Sequence, residues 1–74
     1  MFRKSELEKA IAACEEEIEV LEKKRLRSLS GFIAALVDHG NIDKEDVDYF
    51  KTYTDLIELE REKMRQLQEE LDSL

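Results

Sequence analysis

The chain has 74 residues and a mass of 8.7 kDa, which limits it to a single domain. Charged and hydrophobic residues each make up 42%, with two glycines and no proline or tryptophan, a composition of long helices that excludes a sandwich or barrel. The net charge of −7 repels phosphate backbones and lipid headgroups, so nucleic acid and membranes are disfavoured partners and a basic protein surface is favoured.

The first helix is expected over residues 5–39. Ser5-Glu6-Leu7-Glu8 fits a capping box, in which Ser5 accepts from the backbone N–H of residue 8 and Glu8 reaches back. Apolar residues then recur at Leu7, Ile11, Cys14, Ile18 and Leu21, in alternating steps of four and three that define a heptad seam. Arg25 occupies the next seam position, with Leu26 and Leu29 beside it. This spacing predicts a stutter, with the register resuming at Leu29, Phe32 and Leu36. Ser28, Ser30 and Gly31 interrupt the helix with small residues. A mid-helix glycine costs about 1 kcal/mol relative to alanine, which implies close approach of another helix at that point, or a hinge.

The helix should end near His39, where Gly40 suits the left-handed conformation past a helix terminus. A turn over residues 40–42 leads to a second helix over 43–73. Asp43 is the expected N-cap, with Ile42 and Val47 forming a hydrophobic staple and Glu45 and Asp46 complementing the helix dipole. The second seam runs Phe50, Tyr53, Ile57, Glu60, Met64, Leu67, Leu71, Leu74 without a slip. Two helices of similar length joined by a short turn imply an all-α, antiparallel, coiled-coil-like hairpin spanning the whole chain as one domain. Folding about the turn sets Leu29 near Tyr53, Ile18 near Met64 and Cys14 near Leu67. It also brings the two charged seam residues, Arg25 and Glu60, together as an interhelix pair.

The apolar surface exceeds what one hairpin covers. Leu26, Leu29, Ile33 and Val37 on the first helix and Tyr49, Leu56 and Leu59 on the second form a surplus near the turn. A single core of this size supplies at most about 3–5 kcal/mol, and oligomerisation is the usual remedy. The expected assembly is a homodimer closing a four-helix bundle, with docking of a different protein on the same surplus as the alternative reading.

The single histidine, His39, sits among Asp38, Asp43, Glu45, Asp46 and Asp48. The segment lacks an EF-hand loop and the Glu-x-x-His pair of di-iron bundles, so the dipole at a helix C-terminus explains His39 better than a metal does. Cys14 is expected as a small buried hydrophobe, its thiol pKa raised by Glu15, Glu16 and Glu17. Lys23, Lys24, Arg25 and Arg27 form a small basic block, and helix-bundle RNA binders of the Rop type resemble this architecture, without a shared motif. No nucleophile stands beside a base, and there is no phosphate loop or metal-ligand spacing. No enzyme activity, cofactor or metal is therefore expected. A lone thiol and the absence of an export signal or a 20-residue apolar run point to the cytoplasm. The functional expectation is a non-catalytic protein-binding module, an adaptor, regulator or chaperone-like hairpin. The alternatives are an acidic mimic of nucleic acid, which would inhibit a basic nucleic-acid-binding protein, and a Rop-like RNA-binding bundle.

Overall fold

The computed structural model describes residues 2–41 and 44–74. It contains two α-helices, α1 (Phe2–His39) and α2 (Lys44–Asp72), packed along each other, and the described residues include no strand. The rod measures 58 × 14 × 14 Å. At 1.5 Å per residue, the 38 residues of α1 span about 57 Å, so α1 alone sets the length. The helices run antiparallel. Arg3 Nε donates to Glu70 Oε1 at 3.0 Å at the open end, Arg61 reaches Glu22 at 3.0 Å in the middle, and Asp46 lies against Gly31 towards the turn.

The helix ends follow local chemistry, with one correction. α1 begins at Phe2 rather than Ser5, so Ser5 lies inside the first turn and the expected capping box does not mark the boundary. Arg3 bonds Glu70 across the hairpin and pairs with Glu6 one turn on at 3.7 Å, and these contacts extend the helix past its sequence signal. At the other end Gly40 adopts φ +71° and its N–H donates to the Leu36 carbonyl at 3.0 Å. This is the single five-to-one closure of a left-handed helix cap, a conformation glycine adopts without steric cost. The expected N-cap Asp43 and staple residue Ile42 lie outside the described residues. Glu45 and Asp46 occupy the first turn of α2.

The predicted stutter does not occur. After Leu21 the inward positions of α1 continue through Arg25, Ser28, Phe32 and Ala35, all half-buried, while Leu26, Leu29 and Leu36 are exposed. Phe32 belongs to both registers, and its ring lies 5.6 Å from that of Phe50. The physical reason lies in α2, whose inward positions Asp46, Phe50, Tyr53, Ile57, Glu60, Met64, Leu67 and Leu71 alternate in steps of four and three. A straight antiparallel partner holds α1 to the same unbroken phase, even where that phase presents arginine and serine.

The packing is uneven along the rod. Leu7, Cys14, Ile18, Leu21 and Ile57 are the buried hydrophobic residues; the first three lie towards the open end and Leu21 and Ile57 at the middle of their helices. Ile18, Leu21 and Ile57 form the core, with Tyr53 and Met64 against them. No described helix is long and apolar enough to cross a membrane.

Candidate functional site

The interhelix register in the turn half differs from the expected one by about a helical turn. Leu29 was expected opposite Tyr53; instead Arg25 reaches Thr54, its Nη1 donating to Oγ1 at 3.4 Å. The Arg25 guanidinium also lies 5.8 Å from the centre of the Phe50 ring, within cation–π range. Glu60 sits a turn and a half further along and accepts from Lys63 Nζ at 3.1 Å, beside Cys14. The expected Arg25–Glu60 pair is therefore replaced, and each charge finds a partner of its own. The turn explains the shift. Asp46 lies against Gly31, so α1 runs on to His39 while α2 reaches back only to Lys44. The last turns of α1 overhang the start of α2, and Ile33, Leu36 and Val37 are exposed there.

Two open grooves flank the seam. Glu22, Arg25, Leu26, Leu29 and Phe50 line one. It continues towards the open end past Ile11, Glu15, Arg61 and Arg65, joined by the Glu22–Arg61 pair. Ala10, Ala13, Cys14, Glu17, Glu60 and Lys63 line the groove on the opposite side. Helical spacing distributes the apolar surplus between these two faces. Leu26 and Leu29 line the first groove; Ile33 and Val37 follow at four-residue steps, and Val47 lies two heptads before Arg61 on the same side. Leu59 and Leu56 stand four and seven residues before Lys63, and Tyr49 seven before Leu56, so these three belong to the second face. All the residues expected in the surplus are exposed, with Leu26 at 63%, Leu59 at 61% and Val37 at 76%. They form two stripes on opposite faces rather than one surface. Tyr49 stacks on Tyr53 with ring centres 6.5 Å apart, which anchors the second stripe to the seam.

The charged groups are mostly organised within the hairpin. Arg65 pairs with both Glu62 and Glu69. Glu62 holds the Arg65 guanidinium firmly protonated, and Arg65 pushes the Glu62 carboxyl below its usual range. Lys23 pairs with Glu19 at 3.5 Å. Arg25 is turned into the seam, so the block Lys23, Lys24, Arg25, Arg27 does not present four cations on one surface. The Cys14 thiol is raised as expected, but by a different cause: burial dominates and Glu60 adds to it, while Glu15, Glu16 and Glu17 point to solvent. Gly31 is approached as expected, but by a side chain, with Asp46 Oδ2 lying 3.4 Å from where a Cβ would stand. Among the described residues no group of three or more His, Cys, Asp or Glu side chains gathers as a metal site.

No family model, no curated protein and no solved structure matches this chain.

Proposed function

We propose that this protein is a non-catalytic protein-binding hairpin that completes its turn half by self-association, two copies forming a four-helix bundle. The supporting observation is the exposure of Leu26, Ile33, Leu36 and Val37 along one side of α1, where α2 offers no cover. An apolar stripe of this length on a small monomer is unfavourable, and a second helical surface is what it fits. The acidic surplus sets the chemistry of any further partner. Asp48, Asp55 and Glu58 are exposed on α2, which favours a protein with a basic surface. The Rop-like alternative loses one of its four cations to the seam, because Arg25 is held by Thr54 and Phe50.

Light scattering across a concentration series tests this reading. The expected particle is twice the 8.7 kDa chain mass. An apolar stripe left uncovered would bind a dye such as ANS. A monomer at every concentration that also leaves ANS dark would sink the proposal.

A further inference from the structure

The face of Tyr49, Leu56 and Leu59 extends onto α1. Ala13 and Glu17 line the groove on that side. Val20 stands seven residues after Ala13, Lys24 seven after Glu17, and Arg27 seven after Val20, and seven-residue steps return to the same side of a packed helix. With Gly31 beside Asp46, Val20 stands level with Ile57, between Leu56 and Leu59. Lys24 and Arg27 follow towards the turn, Arg27 close to the level of Tyr49. We infer that this face seats one amphipathic helix of a different protein, its apolar stripe on Val20, Leu56, Leu59 and Tyr49 and its acidic residues on Lys24 and Arg27. The inference goes beyond self-association, whose supporting stripe lies on the other side of the seam.

The shape suits a helix. Two helices packed side by side leave a straight groove between them, and a third helix laid along it is a common mode of peptide recognition. Val20, Tyr49, Leu56 and Leu59 are all exposed. The Tyr49 ring is held by stacking on Tyr53, so an aromatic anchor is ordered before a partner arrives.

Charge selects the partner. The chain as a whole carries −7, yet α1 has no acidic residue from Lys23 to Val37. On α2 the positions of this face from Tyr49 to Leu59 are Tyr49, Thr52, Leu56 and Leu59, none of them acidic. Arg3, Arg25, Arg61 and Arg65 each engage a carboxylate, hydroxyl or ring within the hairpin. Among the described residues Arg27 is the one arginine without such a partner, and Lys24 forms no ion pair. An apolar or basic helix would strip water from these two cations without compensation, whereas carboxylates on the incoming helix pair with them. A twofold contact through this face would bring the same two cations from each copy and no carboxylate within it. Nucleic acid has the right sign, but its phosphates would leave the apolar residues uncovered.

Two fluorescein-labelled peptides of about 18 residues test the inference by anisotropy, each about 27 Å long as a helix at 1.5 Å per residue. Both carry a leucine stripe at helical spacing; one has glutamates beside the stripe and the other lysines. The net charge of −7 by itself favours the lysine peptide, so the preference reads the local face. The glutamate peptide is expected to bind at least about tenfold more tightly at low salt, with the gap narrowing as salt is added. Lys24→Glu combined with Arg27→Glu should invert the order. Leu59→Ser should weaken the glutamate peptide about tenfold or more, and Leu26→Ser, at an equally exposed leucine on the opposite face, should leave it within about threefold. Circular dichroism checks that each variant keeps its helix content. Preference for the lysine peptide, or binding of neither, overturns the acidic partner, and loss of binding through Leu26→Ser alone overturns the choice of face. Light scattering without peptide separates this inference from self-association. A wild-type dimer dissociated by Leu59→Ser gives the face to a second copy and overturns the inference while self-association stands. A monomer that binds the glutamate peptide through Leu59 removes self-association and keeps the inference.

Discussion

The two halves of this hairpin share the same helices, the same phase and the same antiparallel geometry, yet they bury their seams to different depths. From the open end to the middle the seam receives Leu7, Cys14, Ile18, Leu21 and Ile57, all buried. Towards the turn the unbroken phase of α1 delivers Arg25, Ser28 and Gly31 to the inward side, half-buried, and sends Leu26, Ile33 and Val37 outward. The difference is one of side-chain identity at equivalent positions. Backbone geometry, once set by the well-packed half, runs on through the other half, whose hydrophobic residues occupy other faces.

The comparison breaks most visibly with one residue type at two sites. Ile57 is 1% exposed and Ile33 is 56% exposed. Ile57→Ala is expected to cost about 2–5 kcal/mol, as buried isoleucine truncations do, and so to leave the chain largely unfolded. Ile33→Ala in the isolated hairpin should stay within about 0.5 kcal/mol. Urea denaturation of both variants at low concentration measures this, and equal losses would mean the turn half is packed after all. If copies associate as proposed, the cost of Ile33→Ala should grow with protein concentration while that of Ile57→Ala should not.

A smaller effect sharpens the same contrast. In a tight seam a glycine filled by a methyl group would clash. At Gly31 the methyl meets the Asp46 carboxylate at 3.4 Å, an ordinary contact with the end of a side chain. Gly31→Ala should therefore stabilise α1 by about 0.5–1 kcal/mol through helix propensity. A loss in thermal melting would place a closer neighbour there.

The smallest effect reports on the packed half. Burial, followed by Glu60, raises the Cys14 thiol, so the folded state ionises less readily than the unfolded chain, whose thiol titrates near about 8.5. The resulting stability is constant below that value and is lost as pH climbs through the folded-state pKa. Alkylation of Cys14 by iodoacetamide should accordingly be slow at neutral pH and speed up in alkali. Glu60→Gln should shift that rise to lower pH by removing the adjacent negative charge, and an unshifted profile would mean burial acts alone.

Much of the hairpin was legible because its signals are local. The seams from Leu7 to Leu21 and from Phe50 to Leu71 repeat in steps of three and four, and Gly40 closes α1 as its freedom at positive φ requires. The apolar surplus was legible too, residue by residue. Its division between faces was not, since that depends on which side of each helix meets the other. The stutter was misread because counting apolar residues favours Leu29 and Leu36, whereas a long antiparallel partner favours continuity of phase. The pairing of Arg25 with Glu60 failed for a related reason: it assumed a turn that folds symmetrically, and α1 overhangs α2 instead.

Composition and periodicity by themselves determined that this chain is two helices, where they break, and that one end is richer in apolar residues than a hairpin can bury. These follow from hydrogen bonding and side-chain spacing within a few residues. The tertiary structure decided the interhelix register, the partners of Arg25, Glu60 and Cys14, and the placement of Leu26 and Leu59 on opposite faces. Those depend on how two rods slide and rotate against each other, and no stretch of either helix carries that information alone.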